Sequence, residues 1–253
     1  MGMRIDGSEG FLAGATAATE YTGPVAVTSL WFAGQAIRLV RPAEPDRLLD
    51  DPEVVAWNRR DEYMPYWAYL WPAACLLAET VARATWPEPG PSAALEIGCG
   101  LGLAGLVGVA RGLRVVFSDY DPAPLDFVTR SAAENGFDAA RFATRLLDWR
   151  TLPDERFPII LGSDVLYEAR LVPLVANLLE RMLAPGGLGL IASPFRASAH
   201  EFPAAVESRG LTCRAEPATA QSEDGAPIQG MIYRVTRAGA GFDSHVRQKN
   251  QRV

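Results

Sequence analysis

Ala93-Ala94-Leu95-Glu96-Ile97-Gly98-Cys99-Gly100-Leu101-Gly102-Leu103-Ala104-Gly105 is the stretch that decides the fold. A short apolar run enters closely spaced glycines, and a helix-compatible sequence leaves them. The spacing predicts a strand, a tight turn and a helix. Three physical needs place glycine there. A sharp turn favours positive φ, a ligand approaching the backbone leaves no room for a Cβ, and the helix must pack closely on the strand it has just left. N–H groups at the start of that helix lack intrahelical partners and are expected to face whatever is bound.

The same letters read two ways. Gly100-x-Gly102-x-x-Gly105 matches the dinucleotide-binding fingerprint. Glu96-x-Gly98-x-Gly100-x-Gly102 resembles instead the pattern of S-adenosylmethionine (SAM) methyltransferases. Glu96 favours the second. Its carboxylate is expected at the strand's carboxyl end, beside the ligand. There it would repel a pyrophosphate and attract the ammonium of a methionine moiety, directly or through water.

Composition sets the outer limits. A chain of 253 residues, 49% apolar and 21% charged, is one large globular domain or a domain with an added element. Its net charge of -6 gives no general pull towards nucleic acid. No apolar run has membrane-spanning length and no secretory leader is visible, so the expected location is the cytoplasm, with no membrane partner. Lys249 is the only lysine, so no catalytic lysine serves the core. Cys75, Cys99 and Cys213 are odd in number and lack metal spacing, which disfavours disulfide and zinc readings. With His200 and His245 as the only histidines, a histidine triad or metal site is not expected.

Around the central stretch, the chain alternates. Pro24 to Trp31 and Gln35 to Arg41 predict a β-hairpin about the turn Ala33-Gly34. Asp46 and Asp51 are candidate N-caps for two short helices running to about Arg60. Tyr63, Tyr66, Trp67, Tyr69 and Trp71 put five aromatics in nine residues, either as core or as walls of a wet pocket. Leu70 to Ala84 has helical spacing, and Pro87 to Pro91 is a loop. Arg114 to Ser118 predicts a second strand of the main sheet, ending at Asp119. That acid lies about 20 residues beyond the first glycine, the spacing of a carboxylate that accepts ribose hydroxyls. Asp119 is preferred to Asp121, which suits the cap of a helix beginning near Pro122. A third strand, Arg141 to Leu147, ends at Asp148-Trp149, where a carboxylate and an indole suit an adenine, or serve as a turn acid and a core ring.

Phe157 to Leu161 is apolar throughout and predicts a strand buried on both faces, followed by Gly162-Ser163-Asp164-Val165-Leu166-Tyr167-Glu168. A helix from Leu171 to Leu183 stops at Pro185-Gly186-Gly187, and Leu188 to Ala192 forms the next strand. Glu201 to Ser208 predicts a helix; Leu211 to Ala218 and Gln229 to Thr236 predict two final strands. Closure by two strands without an intervening helix implies one antiparallel strand in a doubly wound, seven-stranded mixed α/β sheet. Three parts are expected: residues 1–60, a hairpin with short helices packed on the core; residues 61–237, the main domain; and residues 238–253, a disordered tail. The start, Met1 to Tyr21, is expected to fray.

Together, Trp71-Pro72-Ala73-Ala74, the run Leu95 to Leu103, Ser118-Asp119, Asp148-Trp149 and Ile160 to Tyr167 resemble the non-SET protein-lysine methyltransferases, a seven-β-strand group that includes nicotinamide-N-methyltransferase-like proteins. The resemblance runs from about Tyr63 to Arg196. It implies a Rossmann-like fold and SAM as cofactor. It further implies that Trp71 contacts SAM, that Gly98, Cys99 and Gly100 line its methionine end and ribose, and that Asp119 binds the ribose hydroxyls. Trp149 would border the adenine, and Ser163 would contact the cofactor. Asp164 and Tyr167, the Asp-x-x-Tyr beyond the fourth strand, would lie near the target amine, with Glu168 a second candidate.

The expected reaction is methyl transfer to an amine such as a protein lysine, with no metal. Asp164 would hold the amine and Tyr167 would orient it or pack on it. The alternatives are a small-molecule N- or O-methyltransferase, a nicotinamide-dependent oxidoreductase and a SAM-binding scaffold without catalysis. A DNA-adenine methyltransferase fits less well, because no Asn-Pro-Pro-Tyr type sequence occurs. The acceptor, the number of methyl groups and the oligomeric state stay open at the level of sequence.

Overall fold

Residues 21–86 and 93–238 are described by the structure, a computed structural model. The expectations for residues 1–20, for the loop 87–91 and for the tail beyond 238 lie outside them. The hairpin forms as expected, from β1 (Val25–Phe32) and β2 (Gln35–Pro42), paired antiparallel. A 3₁₀ turn, Pro45–Asp50, leads to α1 (Pro52–Asp61). Asp51 caps α1, accepting from the N–H groups of Glu53 and Val54. Asp46 caps nothing; it sits inside the 3₁₀ turn and accepts a hydrogen bond from the Tyr69 hydroxyl at 2.7 Å.

The main domain follows with α2 (Pro72–Arg83), β3 (Ala93–Ile97), α3 (Leu103–Ala110), β4 (Arg114–Asp119), α4 (Pro122–Glu134) and β5 (Phe142–Leu146). Then come β6 (Phe157–Ser163), α5 (Leu171–Met182), β7 (Leu183–Ser193), α6 (Phe202–Glu207), β8 (Thr212–Gln221) and β9 (Pro227–Thr236). The seven strands order as β5-β4-β3-β6-β7-β9-β8, parallel except that β9 runs antiparallel to both neighbours. This is the mixed sheet implied by two closing strands. Pro185-Gly186-Gly187 is not a loop before a separate strand. β7 starts directly after α5 and bulges there: Phe157 pairs with Leu183, but Ile159 pairs with Leu188.

Period-two alternation sorts the sheet's side chains into two cores. Ala94, Val115, Phe117, Ile159, Leu161 and Leu190 face α2, α3, α4 and the hairpin. Leu95, Ile97, Ile160 and Ile191 face α5 and α6. The hairpin is tied to α4 by polar contacts as well. Val40 N–H donates to Ser131 Oγ at 2.9 Å, and Arg38 N–H donates to Asn135 Oδ1 at 2.9 Å. No described helix is long and apolar enough to cross a membrane.

Alternation also places Glu96. It shares the face of Ala94 and Phe117, directly beneath α3. There a Cβ on Gly105 would stand 2.4 Å from Glu96 Oε2 and 2.4 Å from Phe117 Cε1. Both neighbours are fully buried, so neither has room to yield. Gly105→Ala is therefore expected to destabilise the fold by about 1–3 kcal/mol, the usual cost of overpacking. A urea midpoint equal to that of the unsubstituted protein would show that α3 shifts freely.

Candidate active site

The carboxyl ends of β3, β4, β5 and β6 open onto one cavity of about 440 Å³, a size typical of small-molecule sites. Gly98, Cys99 and Gly100 of the turn, Asp119, Asp148, Trp149, Ser163, Asp164, Tyr167 and Trp71 all lie on its wall. Gly98, Gly100 and Gly102 have positive φ, as the sharp turn requires. At Gly98 a Cβ would approach Trp149 Cζ2 to 3.0 Å and Val165 Cγ1 to 3.2 Å, so bare backbone is what lets the indole pack on the turn.

Glu96 departs from its expected place. It is buried on the α3 face, off the cavity wall, and its Oε2 accepts from the Gly105 N–H at 3.0 Å. Burial pushes its pKa up to about 8; the Gly105 N–H opposes this and Asp119 adds to it. The group thus lies behind the turn and not on the cavity wall, and burial favours its neutral form. One of the helix-start N–H groups expected to face a ligand is taken internally by the same carboxyl. That arrangement still disfavours a pyrophosphate, which needs those N–H groups.

Asp119 and Asp121 divide as two neighbouring acids with different tasks. Asp119 lies on the cavity wall, with Oδ2 accepting from Gly100 N–H at 3.0 Å and Oδ1 from Asp121 N–H at 3.2 Å. Burial raises its pKa to about 6, while those N–H groups pull it down. It remains mostly ionised at neutral pH. Asp121 caps α4 through Ala123 N–H and accepts a short hydrogen bond from the Tyr63 hydroxyl. Asp148 sits on the wall but is not free. The Arg150 guanidinium grips it, Nε lying 2.8 Å from Oδ1, and holds its carboxyl below the usual range.

The aromatic cluster splits residue by residue. Tyr66, Trp67, Tyr69 and Trp71 line the cavity, whereas Tyr63 serves the Asp121 contact. Trp71 Nε1–H donates to the Tyr66 carbonyl at 2.7 Å, which fixes the indole at the entry to α2. The Tyr66 ring stands edge-on to Trp71 at 5.9 Å and to Tyr167 at 5.5 Å. Beside these rings Asp164 meets Arg196, a residue on which the sequence reading placed no role. Arg196 Nε and Nη2 donate to the two Asp164 oxygens at 3.0 and 2.7 Å. Its position was readable in one respect: it follows the carboxyl end of β7, where doubly wound sheets place their chemistry. Glu168 pairs with Arg170 on the same wall. Among the described residues, no group of three or more His, Cys, Asp and Glu side chains is placed to hold a metal.

The lysine methyltransferase family profile matches residues 51–204, more than half of the chain. The chain belongs to the lysine methyltransferase family. The matched segment holds every wall residue named above, while the hairpin and the strands β8 and β9 fall outside it. The chain is 36% identical over 104 residues to Histidine protein methyltransferase 1 homolog of Dictyostelium discoideum, covering 39% of this chain and 34% of that protein. It is 29% identical over 121 residues to Protein N-lysine methyltransferase METTL21A of Danio rerio, covering 46% and 55%. The chain thus spans between about a third and about half the length of the curated relatives it matches. Its fold is shared with the ribosomal protein L11 methylase of Lactobacillus delbrueckii subsp. bulgaricus, at a TM-score of 0.51 and 15% identity over 64% of this chain and 77% of that one.

Proposed function

We propose that the chain is a SAM-dependent methyltransferase acting on a nitrogen of a protein side chain, foremost a lysine amine. One observation carries this reading: a single cavity puts Asp119 and Trp149 beside the glycine turn and Asp164 beside the aromatic mouth. Family membership and two protein-methylating relatives support it. The residues fit SAM. Bare backbone at Gly98 lets the Trp149 indole stand against the turn, where a Cβ would press on it. Asp119 presents an ionised, backbone-oriented acceptor of the kind that takes a ribose diol.

In this assignment Asp119 holds the ribose hydroxyls, and Trp149 with Asp148 borders the adenine. Gly98, Cys99, Gly100, Trp71 and Ser163 line the remainder, with Glu96 supporting the turn from behind. When bound, SAM supplies an electrophilic methyl group on a sulfonium. The chain's own work is alignment and exclusion of water. Asp164 holds the acceptor as its ammonium, with Tyr167 and Tyr66 packed along it, a favourable contact for a cation. The ammonium must give up a proton, to Asp164 or to water, before its nitrogen can accept the methyl group.

The direct test is to incubate labelled SAM and purified protein with a lysate lacking it. Labelled protein that hydrolyses to methyllysine is expected. Methylhistidine would move the acceptor to an imidazole, and label only among small molecules would overturn the protein acceptor. Asp119→Ala is expected to weaken SAM binding by about 1–3 kcal/mol by calorimetry, the loss typical of a charged hydrogen-bond acceptor. Unchanged affinity would take the ribose role away from Asp119.

A further inference from the structure

The Asp164–Arg196 pair is lopsided. The Asp164 side chain is 7% exposed, but that of Arg196 is 37% exposed. The carboxylate is therefore sunk in the wall, and the guanidinium lies at the mouth with a way back to water. Its Cζ also stands 5.8 Å from the centre of the Trp71 ring, within cation–π range. One cation thus satisfies a buried carboxylate and an aromatic face together.

Backbone strain marks the same place. Of the four described non-glycine residues with positive φ, one is Asp164 itself (φ 54°) and another is Phe195 (φ 57°), which immediately precedes Arg196. A left-handed conformation is unfavourable for residues with a Cβ, and such strain gathers at sites with a task beyond packing. The two strained turns follow β6 and β7, and Asp164 N–H is held by the Ala192 carbonyl at 2.9 Å. The carboxylate is fixed by its backbone; Arg196 reaches it on a long, flexible stem.

We propose that Arg196 occupies the cation position of the acceptor and is displaced by the incoming ammonium. The proposal rests on the methyl-transfer reading of this cavity. An acceptor ammonium takes over both interactions, with Asp164 and with Trp71. Arg196 regains hydration as it leaves. Removing Arg196 without a replacement leaves a buried carboxylate unpaired, which is costly, so the empty position attracts another cation strongly. A neutral acceptor of the same shape offers no exchange. Asp164 therefore selects cationic side chains, and Arg196 is the internal competitor that holds their position until one displaces it.

The test uses n-butylammonium as the lysine-like probe and n-pentanol as its neutral counterpart, at constant ionic strength and without any methyl donor. Binding is read from the NMR signal of the Trp71 indole N–H, assigned by Trp71→Phe. Arg196→Gln is expected to bind n-butylammonium at least ten-fold more tightly than the unsubstituted protein, with n-pentanol binding unchanged. Arg196→Lys keeps the charge but loses the two-pronged grip, and should fall between the two. It carries the test if Arg196→Gln does not fold. Asp164→Asn combined with Arg196→Gln should abolish the gain. Equal or weaker n-butylammonium binding in the Arg196 variants would overturn the proposal and make the pair a fixed clamp. Because no SAM is present, that failure would leave the methyl-transfer reading intact. Absence of methyl transfer, in turn, would leave the measured cation exchange standing.

Discussion

Asp164→Ala is expected to lower the single-turnover rate of methylation on the order of 100-fold, the scale of loss when a reacting group is no longer held in line. SAM affinity should change little, because Asp119, Trp149 and the glycine turn are untouched. The physical reason is the placement of Asp164 at the carboxyl end of β6. That strand pairs in parallel with β3, so Asp164 stands across from the glycine turn on the wall of the same cavity. Removing it also leaves Arg196 without its carboxylate, beside the Trp71 ring. The mouth would then carry a positive charge that repels a cationic acceptor. Tyr167→Phe should be milder than Tyr167→Ala, since its ring packs edge-on to Tyr66. The measurement is single-turnover methylation of the acceptor found in the lysate, with SAM affinity determined in parallel. Full activity in Asp164→Ala would place the acceptor elsewhere, first against the Asp61 to Tyr69 segment.

The sheet was legible because its signals are local and repeated. Apolar runs such as Phe157 to Leu161 are long enough for a strand and bounded by turn residues. The two final strands lacked a helix between them, which forces an antiparallel partner. The reading failed where a local signal had two outcomes. Pro185-Gly186-Gly187 can end an element or bulge a strand, and only the pairing of β7 with β6 decides. Asp46 looked like a cap because it stands before a helical run; the distant Tyr69 hydroxyl claims it instead.

The cavity wall was legible for a different reason. Residues just past successive parallel strands converge whatever the loops do, which brought Asp119, Trp149, Ser163 and Asp164 together. What sequence does not carry is the partner of each charge. Asp148 is gripped by Arg150, two residues away, and Asp164 by Arg196, 32 residues away. In a chain rich in arginine, only its place just beyond β7 sets Arg196 apart, and nothing in the spacing pairs it with Asp164. The direction of Glu96 was not legible either: it sits at the carboxyl end of β3, but strand alternation turns it towards α3 and off the cavity wall.

That misdirected carboxyl gives the largest stability effect expected here. Glu96 is fully buried, with one oxygen on the Gly105 N–H and Oε1 without a hydrogen-bond partner among the described residues. Its pKa rises from an ordinary 4.5 to about 8, chiefly through burial. A carboxyl whose folded pKa lies above its unfolded value favours the folded state when protonated. Its contribution is intact below about pH 4.5, declines as the unfolded chain ionises first, and is lost once pH passes about 8. A shift of this size corresponds to a loss on the order of 4 kcal/mol between pH 4.5 and pH 9. Glu96→Gln keeps an acceptor for Gly105 and cannot ionise. It should therefore be much less sensitive to pH across that window, and more stable than the unsubstituted protein at pH 9. Asp119, raised to about 6, contributes in the same direction in both proteins. The difference between their urea-unfolding free energies at successive pH values isolates Glu96. Parallel curves from pH 5 to 9 would show that Glu96 is ionised in the folded protein at neutral pH. The attraction to a ligand ammonium, transmitted through the turn, would then have to be restored.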